Sequence, residues 1–126
     1  MARFDPKQQR KLDTERRRGW LIYLLYAAKP KPLEFASLIH LMDARNFPMS
    51  CRRLAEELDF LRSAGLLRVF PVGADESLSE VAQAKLIQKY CDSDGDLNDD
   101  YCAKITTKGN KFQDGYFDED GIMRVN

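Results

Sequence analysis

Histidine is almost missing from this 126-residue chain: His40 is the only one, and no serine, cysteine or carboxylate pattern accompanies it. A catalytic histidine needs such a partner, so His40 reads as a packed or surface residue. The three cysteines, Cys51, Cys91 and Cys102, are widely spaced and form no CxxC pair. With one histidine they exclude a four-ligand zinc site, and reduced thiols are expected. The seven glycines form no phosphate-cradling or dinucleotide-binding turn, and no nucleophile elbow occurs. Neither enzyme activity nor a cofactor is therefore expected. The longest apolar run, Trp20 to Ala28, falls far short of the ~20 residues that cross a bilayer. The opening MARFDPKQQRK has neither the apolar stretch nor the small-residue cleavage site of a secretory signal. The expectation is a cytoplasmic protein with no membrane partner.

What is present is a hydrophobic share of 44% beside 32% charged residues, enough for one packed domain without disulfides. The net charge of zero conceals a split. Residues 1–72 hold 14 Lys+Arg against 8 Asp+Glu, a balance of +6; residues 73–126 hold 6 against 12, a balance of −6. A basic first half suits phosphate, and an acidic second half suits a basic protein partner.

Asp5 and Pro6 make a helix start, with Gln8 placed to complete a capping box. The stretch to Arg18 is polar and basic, which suits an arm or an exposed helical extension. Trp20, Leu21, Leu24, Leu25 and Ala28 then give the first amphipathic helix, ended by Lys29-Pro30-Lys31-Pro32. A second helix is predicted from about Leu33 to Arg45, with Phe35, Leu38, Ile39 and Met42 as its apolar stripe.

The segment FPMSCRRLAEELDFLRSAGLLRV, Phe47 to Val69, is the most informative. It predicts a helix opened by Ser50, a Gly65 stop and a strand from Leu66. Leu54, Leu58 and Leu61 share one helical face. Arg52 and Arg53 stand near the start of the exposed face, as in a helix that enters a DNA major groove. They could pair with phosphate oxygens or with guanine O6 and N7. Ser50 could cap the helix or bond a phosphate. Arg16, Arg17 and Arg18 could add contacts to the DNA backbone. Glu56, Glu57 and Asp59, placed partly on the exposed side, would repel phosphate and confine any groove entry to the first turn.

Further on, Ser77-x-x-Glu80 predicts a capping box for a fourth helix over about 78 to 90. An acidic loop follows, Asp92 to Asp100. Counted from Asp92, the EF-hand glycine and glutamate positions are Leu97 and Ala103, so a solvated turn is expected and no metal. YCAKIT, Tyr101 to Thr106, alternates as a strand, and a helical turn is expected near Phe112.

Three helices, a strand, an excursion and a returning strand follow the order of a winged helix-turn-helix. The fold class expected is mainly α with a small β-ribbon, the extra helix being inserted between the wing strands. The expected divisions are a basic N-terminal arm or helix extension (1–18), a winged-helix domain (19–112, with 77–100 as the insertion) and an acidic tail (113–126). RRGWLIYLLYAAKP, MSCRRLAEELDFLRSAGLLRV and YCAKITTKGNKFQDG together resemble the small ArsR- or MarR-like winged-helix proteins of Mu-like phages and prophages. The most specific parts are Leu58, Leu61, Gly65, Leu66 and Leu67, then Ile105, Thr106 and Gly109. The resemblance implies a transcriptional regulator that binds double-stranded DNA as a homodimer, without a cofactor, through Ser50, Arg52 and Arg53. The alternative is a winged-helix protein-interaction module that does not touch DNA.

Overall fold

The structure, a computed structural model, describes residues 5–94 and 100–126. Asp5 opens the first helix, α1 (Pro6–Ala28). Its side chain accepts the Gln8 N–H at 2.8 Å and the Gln8 side chain accepts the Asp5 N–H, the reciprocal box read from the sequence. The helix continues without a break from its polar half into an apolar half that buries Leu21, Ile22, Leu24 and Leu25. None of the helices described is long and apolar enough to cross a membrane.

The helix predicted from Leu33 to Arg45 is shorter at both ends. Leu33–Glu34 form a two-residue strand, β1, and the helix α2 spans Phe35–Asp43. Extended backbone wins at Leu33 because the pair is in register with Ala103 and Cys102 of a distant strand. The next helix, α3 (Cys51–Ser63), is capped by Ser50, whose hydroxyl accepts the Arg53 N–H at 3.1 Å. Leu54, Leu58 and Leu61 are fully buried, and the chain leaves the helix through Gly65 at φ +80°, a conformation glycine adopts without steric penalty.

Strands β2 (Leu67–Pro71) and β3 (Tyr101–Ile105) pair antiparallel from Leu67↔Ile105 to Pro71↔Tyr101. The sheet order is β1-β3-β2, with β3 in the middle. Between β2 and β3 in the chain lies the helix α4 (Glu80–Ser93). Its cap is Ser79, which accepts the Ala82 N–H at 3.1 Å, not the Ser77 expected. Ser77 is drawn into a different turn, its N–H donating to the Asp75 carboxylate at 2.9 Å. The final helix, α5 (Thr107–Gln113), is capped by Thr106 through the Gly109 N–H. Among the described residues the protein is thus five helices around a small three-stranded antiparallel sheet. Of the acidic loop, residues 95–99 lie outside the described residues; Asp94 ends α4 at φ +51°.

Leucines of α1 and α3, Phe35, Leu38 and Met42 of α2, Val69, Ala103 and Phe112 fill one core. Phe35, Tyr90 and Tyr101 meet edge to face in it, with centroids 4.8 to 6.5 Å apart. The Tyr90 phenol is pushed above its usual pKa by burial and by the neighbouring Cys51 thiol, which ties the end of α4 to the start of α3. At the free edge of the sheet, Gln83 is fully buried. Its amide oxygen accepts the Val69 N–H at 3.1 Å and its nitrogen donates to the Leu78 carbonyl at 3.0 Å. A side-chain amide thus satisfies one backbone donor where a further strand would otherwise pair.

The residues after α5 return along α1. The Met123 N–H donates to the Glu15 carbonyl at 3.0 Å, and Ile122 is buried. Gly19 makes this approach feasible, since a Cβ there would overlap the Met123 carbonyl. Gly→Ala inside a helix ordinarily stabilises by about 1 kcal/mol. Here Gly19→Ala is expected to destabilise by about 1–3 kcal/mol through that clash, read from the urea unfolding midpoint. A gain in stability would show that the C-terminal segment does not sit on α1.

Candidate nucleic-acid interface

Three successive arginines on a helix point about 100° apart, because each residue advances the helix by that angle. Arg16, Arg17 and Arg18 are therefore not all sent to one place. Arg18 turns inward: its Nε donates to Glu57 at 3.2 Å, its Nη1 donates to the Gly121 carbonyl, and its guanidinium lies 3.6 Å from the centre of the Phe60 ring. Glu57 is only 2% exposed. This corrects the sequence reading of Glu57 as a partly exposed acid that would repel phosphate. It is an internal charge, matched by an arginine from α1 and therefore closed to DNA. Arg18, expected on the DNA backbone, is committed to this contact.

Arg16 is exposed and Arg17 half-buried. Both line a cleft of about 620 Å³ whose far wall is the turn from α2 to α3, with Trp20, Arg45 and Asn46 among its other lining residues. Arg45 lies 5.1 Å from the centre of the Trp20 ring and donates to the Leu41 carbonyl at 3.2 Å. Arg45 and Trp20 were not among the sequence candidates for contact. Arg45 reads there only as the end of a helix, and Trp20 only as core.

On α3 itself, Ser50 uses its hydroxyl for the cap. Arg52 is exposed and has no ion-pair partner among the described residues. Arg53 lies 3.7 Å from Glu56, both about half exposed, a contact that holds neither side chain firmly. The accessible strip of the helix is narrow. Arg18 and Gly121 close one flank at Glu57 and Phe60. On the other flank α4 packs so that Ala55, Asp59 and Arg62 face Ala84, Ile87 and Cys91. Arg62 is buried there, donating to Asp59 at 2.8 Å and also to Glu80 at the start of α4. Asp59, like Glu57, is thus paired. The Asp59 side chain nevertheless stays half exposed, as does that of Glu56.

A larger cleft, of about 790 Å³, lies where β2, β3 and α5 meet, but three of its four cations are already used, and the fourth, Lys29, lies over the Tyr26 ring. Lys104 pairs with Glu76 at 3.0 Å, Arg68 donates to the Glu76 and Leu78 carbonyls, and Lys108 donates to the Ala64 carbonyl at 2.6 Å. Among the described residues no three histidines, cysteines or acids come together in a way that could hold a metal ion. The Cys102 thiol, buried at β3 and donating to the Phe70 carbonyl, is pushed up to about 11 by burial and by the Glu34 and Glu76 carboxylates. What the arrangement offers chemically is a set of uncommitted guanidinium groups beside a capped helix start. No protein-family model, curated protein or solved structure matches the chain.

The two roles of the arginines separate in stability. Arg18→Ala leaves Glu57 as an unpaired buried carboxylate and is expected to cost about 3 kcal/mol. Arg16→Ala should change stability by no more than about 0.5 kcal/mol. Equal effects of the two substitutions on the chemical-denaturation midpoint would contradict this division.

Proposed function

We propose that this protein is a winged helix-turn-helix that binds double-stranded DNA, entering the major groove with the first turn of α3. The observation that carries the proposal is the placement of Arg52 and Arg53. They stand exposed at the capped end of a helix braced by α1 and α2 and followed by an antiparallel pair of strands. Three helices followed by a strand, and the antiparallel pairing of that strand with a later one, support this reading. The helix start adds its own positive potential toward phosphate. Groove entry is steep, N-terminus first, because α4 and the Arg18–Phe60 stack occupy the flanks and Glu56 follows one turn later. With the resemblance to Mu-like phage regulators, the role that fits is transcriptional control in a bacterium or prophage.

The second reading, a protein-docking module, draws on one observation: α4 lies along α3 where an unmodified winged helix leaves the reading helix open. A salt titration of binding to random-sequence duplex separates the two. Contacts to phosphate predict that log K falls against log salt with a slope of about −0.9 for each phosphate neutralised. The double variant Arg52→Ala/Arg53→Ala is expected to bind at least about tenfold more weakly, with a shallower slope. Absence of duplex binding at low salt would defeat the DNA reading in favour of docking.

A further inference from the structure

The cleft between α1 and the α2–α3 turn is not explained by packing. Arg16 and Arg17 approach it from one wall and Arg45 from the other, with Trp20 between them. Among the described residues, none of the three guanidinium groups has a carboxylate within ion-pairing distance. Asp13, the acid on the cleft wall, accepts from the Gln9 amide at 3.1 Å. Gathering three like charges in one recess is unfavourable unless an anion occupies it. A second, independent observation points the same way. The Nε of Arg17 is buried without any acceptor among the described residues, which is costly for an ionised donor.

We propose that this cleft seats a backbone phosphate of bound DNA, Arg16, Arg17 and Arg45 supplying the donors and Trp20 holding the Arg45 guanidinium in place. The planar fork of arginine donates two parallel N–H bonds to phosphate oxygens, which a lysine cannot do. The far wall, residues 46–48, leads through Met49 to the Ser50 cap of α3, so only three residues separate the cleft wall from the exposed Arg52. A phosphate held here would fix the position of the duplex along α3 without reading its bases. The inference rests on the DNA-binding reading above and adds Arg45 and Trp20 to it.

Trp20 is the only tryptophan, so its emission reports on the cleft alone. Binding of a dye-labelled duplex is followed by anisotropy, and Trp20 fluorescence is followed with unlabelled duplex, alongside an inorganic phosphate titration. The expected result is a Trp20 change that saturates together with the anisotropy. Arg45→Gln and Arg16→Gln should each weaken the duplex about fivefold and reduce the salt slope by about 1. Arg16 is exposed and carries no internal contact, so its variant keeps the fold even if Arg45→Gln does not. Duplex binding with Trp20 unmoved and the Arg16→Gln affinity unchanged would overturn the cleft while leaving the DNA reading intact. A Trp20 response to inorganic phosphate but not to duplex would overturn it in favour of a free-anion site. If no duplex is bound at all, the DNA reading fails and takes this inference with it.

Discussion

Glu57 lies inside the protein, 39 residues away in the chain from the arginine that makes its burial tolerable. A carboxylate removed from water is destabilising by several kcal/mol unless a cation and further hydrogen bonds replace its hydration. Arg18 supplies the cation, while its Nη1 donates to the Gly121 carbonyl and its flat face lies against the Phe60 ring. One side chain therefore links α1, α3 and the returning C-terminal segment. Its direction also fixes the rotation of α1 about its axis. Once Arg18 faces α3, helical geometry turns Arg17 and Arg16 successively away, toward the turn that carries Arg45. The placement of the uncommitted cations follows from that single internal contact.

The inserted α4 works on the opposite flank. Gln83 satisfies one backbone donor of the β2 edge, while the same helix presents Ala84, Ile87 and Cys91 to α3. Arg62 reinforces the junction from α3 by reaching Glu80 at the other end of the interface. The segment that connects β2 to β3 is folded back against α3 as a brace. Its effect is to hold α3 on both sides and to leave only its first turn open. Restriction of this kind trades contact area for a fixed direction of approach.

Much of this fold was legible in the chain because it is encoded locally. The capping box at Asp5, the Ser50 cap, the leucine spacing of α3, the Gly65 stop and the two longer strands each depend on residues within a few positions of one another. β1 was missed because two residues have no periodicity, and only the distant β3 makes them a strand. The cap of α4 slid from Ser77 to Ser79 because Asp75 captured the first serine. Glu57 was misplaced for a more instructive reason. A charged residue on an amphipathic helix is exposed by default, and its burial depends on a partner from another element that spacing cannot reveal. Of the six contact residues expected, Arg52 and Arg53 stand on the open strip, Arg16 and Arg17 border the cleft, Ser50 caps, and Arg18 is internal.

The division of charge along the chain also changes meaning in three dimensions. Read linearly, a basic half precedes an acidic half, and the molecule is a dipole able to steer toward DNA. In the fold the acidic segment comes back against the basic helix: Tyr26 donates to Asp114 at 2.6 Å and Met123 bonds to Glu15. Arg124 is neutralised within the same segment, by Asp118 and by the Phe112 and Phe117 carbonyls. The halves therefore do not separate, and net charge by segment says little about the surface. What matters is where the cations without a carboxylate partner stand. Around the start of α3, the arginines at positions 16, 17, 45 and 52 have none among the described residues, with 53 only loosely held by Glu56. All five belong to α1, to the turn before α3 or to its first helical turn. Under the proposed DNA reading, the attraction to phosphate is local to these side chains rather than spread over half the chain.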